Sequence, residues 1–221
     1  LPYGTANIDF DQDPAQGIAE AVYAPERLDE VFLDRLLTKC SQHLSLLAAP
    51  SMLDRAYDFE GQAFLPVLDV MQRSAPVAVL DVPHVWTEWT RSVLGAVDEV
   101  VICAAPDLAN LRNAKNLIDA LRRLRPNDKA PHLILNQVGM PKRPEINPSE
   151  FCAPLETDPI AIIPFDINLF GNAANSGQMI SETDPKSPIA ETFSQISHIV
   201  TGRVALKKAR KGGLLGLLKR K

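Results

Sequence analysis

Cysteine is scarce in this 221-residue sequence: Cys40, Cys103 and Cys152 are the whole supply, odd in number and far apart. That excludes a disulfide scaffold and gives no zinc-ligand spacing, and thiols so placed are expected to stay reduced, as in a cytoplasmic protein. The histidines are equally sparse. His43, His132 and His198 have no partner spacing for a metal and read as structural. No serine or cysteine nucleophile motif accompanies His84, which reads as a loop or packing residue rather than a base. No apolar run approaches the ~18 residues that a spanning helix requires, and no signal-peptide pattern is present. The expectation is a soluble chain, attached at most to a membrane surface. Acid is missing from residues 204–221, which hold seven basic residues. Residues 1–203 therefore carry a net charge of −11, against −4 for the whole chain. So acidic a body argues against a nucleic-acid partner and for a dedicated partner of the tail.

What is present is an ordinary core-forming composition, 46% hydrophobic and 23% charged. The stretch 76–84, PVAVLDVPH, places the apolar residues Val77, Ala78, Val79 and Leu80 before one carboxylate, Asp81. A short apolar run without alternation predicts a strand buried on both faces of a parallel sheet. A carboxylate at the C-terminal end of such a strand lies where open α/β sheets place their ligands. Further strands are expected at 44–48, 99–104, 131–138 and 160–163. Helices are expected at 15–23, from Pro25 through Leu37, and at 61–73, 87–97, 107–125, 149–155, 165–175 and 188–203. In the second helix Leu28, Val31, Phe32, Leu36 and Leu37 are expected to share the buried face. Trp86 and Trp89 read as core, with a dimer face as the alternative, and Cys103 reads as core.

Strands alternating with helices of ten or more residues predict a doubly wound, mostly parallel α/β domain over residues 1–203. The opening LPYGTANIDF reads like the middle of a domain. A fragment lacking its N-terminal strand or strands, with an exposed apolar sheet edge, is therefore expected.

The tail, residues 204–221, is a second unit. ALKKARKGGLLGLLKRK sets Leu214, Leu215, Leu217 and Leu218 between the basic clusters Lys207, Lys208, Arg210, Lys211 and Lys219, Arg220, Lys221. On a helix these leucines form one apolar face flanked by cations, a pattern that lies in a membrane interface. Docking on an acidic protein and a plain solubilising terminus are the alternatives.

In this order the segments resemble the deviant Walker ATPases of the MinD/ParA group, and within it the pilus-assembly branch called CpaE or TadZ. LPYGTANIDFDQDP resembles the loop after the family's second catalytic element. Asp81 matches the Walker B carboxylate, which the resemblance assigns to Mg²⁺ through water. PDLANLRNAKNLIDAL resembles the Pro-Asp/Glu and helix that follow the next strand. In LILNQV, Asn136 stands where the family places an adenine-contacting Asn, whose amide offers donor and acceptor side by side. IPFDINLFGNAANSGQMI resembles the segment that closes over the base, which assigns Pro164, Phe165 and Asp166 to the adenine side.

The resemblance implies ATP with Mg²⁺, a homodimer, pilus or secretion-machine partners and a place at the inner-membrane surface, a cell pole included. A stretch of the form GxxxxGK[ST] occurs nowhere in the sequence, so the family's backbone cradle and phosphate-binding lysine have no counterpart here and the chain is expected to bind no nucleotide tightly by itself. Two other readings stay open. One is a non-catalytic polar-localisation scaffold of the same fold. The other is a ParA-like partition ATPase, which the acidic body disfavours.

Overall fold

A computed structural model describes residues 3–50, 52 and 56–203. Short helices α1 (Ala6–Asp9), α2 (Ile18–Tyr23) and α3 (Glu30–Leu36) come first, and a two-residue antiparallel ladder pairs β1 (Thr38–Lys39) with β2 (Ser45–Leu46). Helices α4 (Leu65–Ser74) and α5 (Glu88–Ala96) lead to the main sheet. Its strands are β3 (Val101–Ala104), β4 (His132–Val138) and β5 (Pro159–Pro164), paired in the order β3-β4-β5 and parallel throughout. The crossovers carry α6 (Leu108–Leu124) and α7 (Pro148–Cys152). Helices α8 (Ile167–Asn175), α9 (Ile180–Thr183) and α10 (Pro188–Val200) close the described chain.

Helices pack on both faces of this sheet, which makes it doubly wound. Ile102, Ala104, Leu133 and Leu135 point to one face and pack with Ala114, Ile118 and Leu121 of α6 and with Phe151 and Leu155. Ile118, Leu133, Leu135, Phe151 and Leu155 are fully buried, each contributing about 1.5–3 kcal/mol. On the other face Ile134, Ala161 and Ile163 meet Ile189 and Ile196 of α10. A separate core joins α2 to α5 through Leu33, Leu36, Phe59, Phe64, Val67 and Trp89. Val97 touches both this core and that of α6. Arg125 ties the two mechanically, donating to the carbonyls of Leu94 and Asp98.

Several expectations fail here. The stretch 76–84 forms no ladder with any described strand. Val77 and Val79 are 54% and 87% exposed, and only Leu80 and Val82 pack on the α4–α5 core. A run of β-branched residues supplies the propensity for a strand, but the ladder needs a neighbouring strand. The strand expected at 44–48 shrinks to Ser45–Leu46 and turns back on Thr38–Lys39 instead of joining the parallel sheet. The helix expected from Pro25 breaks at Leu28, and Asp29 restarts it by accepting the Phe32 N–H at 2.6 Å. Of the expected face, Leu36 is buried and Leu28, Phe32 and Leu37 pack against the same core, joined by Leu33, while Val31 is 61% exposed. Trp89 is core as expected, but Trp86 is 55% exposed. Cys103 is exposed as well, because the face of β3 that carries Val101 and Cys103 lies beyond the cover of α10.

Candidate functional site

The parallel ladder between β4 and β5 is regular from Ile134↔Ala161 to Leu135↔Ile162 and then skips to Val138↔Pro164. Asn136 and Gln137 occupy the skipped positions. Gln137 sits at φ +56°, a left-handed conformation that costs a residue with a side chain about 1 kcal/mol. The irregularity re-aims both side chains at the C-terminal end of the sheet, as bulges beside functional sites do.

There they form one wall of a cleft of about 260 Å³. The turn after β5 supplies the facing wall through Pro164, Phe165 and Asp166. The first turns of α8 complete it with Ile167, Phe170 and Gly171. The walls are locked together by the Phe165 N–H, which donates to the Val138 carbonyl at 2.8 Å. Asp166 is the N-cap of α8, its Oδ1 accepting the Leu169 N–H at 2.9 Å, which leaves Oδ2 as an acceptor. Asn136 Oδ1 accepts the Gln137 N–H at 2.8 Å. Its amide group also hydrogen-bonds the Cys103 thiol. That bond works against the partial desolvation that holds the thiol above its usual range.

The loop after β4 fixes this wall from behind. Arg143 donates through Nη2 to the Gln137 carbonyl at 2.5 Å and through Nη1 to Gln137 Oε1 at 3.1 Å. Glu145 accepts the Gly139 and Met140 N–H groups at 2.9 and 3.0 Å and pairs with Arg143 Nη2 at 2.9 Å. The backbone bond from Gly139 and the Arg143 guanidinium hold the Glu145 carboxyl below its usual value. One residue on, the Ile146 N–H is tied to the carbonyl of Pro106 after β3. Asp107, the N-cap of α6, is likewise held low, first by the Asn110 backbone N–H and then by the Asn110 amide, with Arg143 adding a smaller attraction.

Asn136, Pro164, Phe165 and Asp166, expected on one site from the sequence, do converge on one cleft. Asp81 does not line it, and stands exposed on the unpaired stretch 76–84. The tail residues Lys207, Lys208, Arg210, Lys211, Leu214, Leu215, Leu217, Leu218, Lys219, Arg220 and Lys221 lie outside the described residues. Gln137, Ile167, Phe170 and Gly171 were not expected. Gln137 was legible in principle as the neighbour of Asn136. Arg143 and Glu145 sit in a Pro/Lys-rich loop with no motif to single them out.

No family model matches the chain, and no curated protein matches it. Solved structures do. A ParA family ATPase from Chlorobium tepidum TLS superposes with a TM-score of 0.79 at 22% identity, over 89% of this chain and 82% of its own. The septum site-determining protein MinD of Pyrococcus horikoshii OT3, solved with Mg-ADP, gives 0.73 at 16% identity over 88% and 77%. A chain of the MinC:MinD cell division protein complex from Aquifex aeolicus gives 0.71 at 18% identity over 90% and 80%. The fold is that of the ParA and MinD ATPases.

The cleft itself is small. Its volume lies just under the ~300 Å³ at which drug-sized ligand sites begin. Its walls are apolar around Ile167 and Phe170, and polar at Asn136, Gln137 and Asp166. Among the described residues no three His, Cys, Asp or Glu side chains gather into a metal-binding group. No described helix is long and apolar enough to cross a membrane.

Proposed function

We propose that this chain is the base-binding part of an ATP-responsive switch protein of the MinD/ParA type, serving localisation and assembly of a type IV Flp/Tad pilus machine. The observation that carries the nucleotide reading is the convergence of Asn136, Pro164, Phe165 and Asp166 on one cleft at the C-terminal ends of β4 and β5. Ligands of open α/β sheets bind at that end. The fold of a MinD solved with Mg-ADP supports it further. In the intact switch, ATP with Mg²⁺ favours one state over another and so changes partner affinity. Asp81 serves the Mg²⁺ water shell there, and two copies pair. The pilus assignment rests on the order and spacing of the CpaE/TadZ-like segments. The basic, leucine-bearing tail (residues 204–221) holds the protein at the inner-membrane surface.

Nuclear magnetic resonance titration of the full chain with adenosine and with Mg-ADP tests the base site. Shifts concentrated at Asn136, Gln137 and Phe165 are expected, and shifts elsewhere or none refute it. Deleting the gene and imaging surface pili tests the pilus role, which unchanged piliation would refute. Sedimentation with anionic vesicles decides the tail. Equal binding by a chain ending at Arg203 would sink membrane attachment. The second reading, a non-catalytic scaffold of the same fold, is favoured by one observation, a sequence without any GxxxxGK[ST] stretch. It predicts base binding without turnover.

A further inference from the structure

The skipped register at Asn136–Gln137 holds a left-handed glutamine at the mouth of the cleft, and the contacts that hold it there also dictate its chemistry. A guanidinium has only donors. The atom that Gln137 turns towards Arg143 Nη1 at 3.1 Å is therefore its amide oxygen. That leaves Nε2, with its two hydrogens, as the end of the side chain free to meet a ligand. Asn136 is engaged at both ends, its Oδ1 by the Gln137 N–H and its amide group by the Cys103 thiol. On the β4 wall the free side-chain donor is thus Gln137 Nε2, while Asp166 opposite retains an acceptor oxygen.

Arg143 is itself held from behind. Its Nη2 reaches the Gln137 carbonyl at 2.5 Å and Glu145 Oε1 at 2.9 Å, and both partners of the ion pair are largely shielded from solvent. Glu145 spends its remaining capacity on the N–H groups of Gly139 and Met140. Gly139 is at φ +80° and Lys142 at φ +64°, so the loop turns through left-handed positions at both ends of the segment that Glu145 and Arg143 bridge. Carboxylate, guanidinium and the Gln137 backbone form a closed chain around this turn.

We propose that Arg143, braced by Glu145, is a positioning residue for the base cleft, and that Gln137 is its specificity contact, donating from Nε2 to a ring-nitrogen acceptor of a purine. This rests on the base-binding reading. A preorganised donor aimed at a ring nitrogen selects against bases that carry a C–H there, because the amide is then left without a partner.

The test compares wild type with Gln137→Ala, Arg143→Ala and Arg143→Lys by resonance titration with adenosine, 7-deazaadenosine and 1-deazaadenosine. Wild type is expected to prefer adenosine over one of the two deaza compounds by about three- to tenfold, the factor that one net hydrogen bond carries. Gln137→Ala is expected to lose that preference with the melting temperature unchanged, and Arg143→Ala to lose it with a modest fall in melting temperature, because it also removes the partner of Glu145. Arg143→Lys, which keeps the charge but not the two-pronged geometry, restores it only in part. Variants that rank the three compounds as wild type does would overturn the proposal. Hydrogen exchange at Gly139 and Met140 is followed in parallel. Faster exchange in Arg143→Ala, with β4 unchanged, is the expected sign of the clamp, and unchanged exchange refutes it. A wild-type chain indifferent to adenosine ends the base reading and the role of Gln137, while exchange still decides whether Arg143 braces the loop.

Discussion

Glu145 shows how a single side chain makes a loop rigid. Its carboxylate accepts two backbone N–H groups and a guanidinium, and its folded-state pKa lies below the usual 4.5. A depressed carboxylate adds stability above the unfolded value and loses it as pH falls through the folded value. The amide resonances of Gly139 and Met140 should therefore move with a midpoint below 4.5; a midpoint at or above 4.5 would show that the carboxylate is not engaged. Cys103 gives a second check. Its thiol is exposed yet raised in pKa, and Cys152 is buried and raised. An alkylating reagent near neutral pH should label Cys103 more slowly than free cysteine but ahead of Cys152, as peptide mapping would read. Neither behaviour was legible from the sequence, which placed Cys103 in the core because it lies in an apolar run.

Among the elements, α6 and α8 begin in the same way, on an aspartate that follows a strand and caps the helix. Asp107→Ala and Asp166→Ala should each lower stability by about 1 kcal/mol in urea denaturation. Asp166→Asn keeps the cap and should leave stability within a few tenths of wild type. A loss as large as that of Asp166→Ala would mean that the charge, and not the cap, matters. The sequence revealed α4 and α6 through their apolar spacing, and β3, β4 and β5 through apolar runs. It failed at 76–84 and at 44–48 for one reason: whether an apolar run becomes a strand depends on a partner strand, and partner supply is not a local property.

For the whole molecule, the unpaired stretch 76–84 leaves Val77 and Val79 exposed beside Val85 and Trp86. Exposed β-branched runs invite edge-to-edge pairing. A Val77→Thr, Val79→Thr double variant should reduce concentration-dependent light scattering with the melting temperature nearly unchanged, since neither side chain is buried. A fall of many degrees would place these valines in a core. By contrast, Phe151→Ala, at a fully buried position between α6 and the sheet, should cost about 3–5 kcal/mol.

The sequence by itself determined the α/β class, the order of the C-terminal elements and four residues of the cleft. Those features follow from local periodicity, from turn chemistry, and from a resemblance carried by short segments in a fixed order. Tertiary structure decided the rest. It left Asp81 on an unpaired stretch away from the cleft, exposed Cys103, and brought Arg143 and Glu145 behind Gln137. Such placements depend on which strand finds a neighbour and which loop folds back on the sheet, and both are set by contacts between residues distant in the chain.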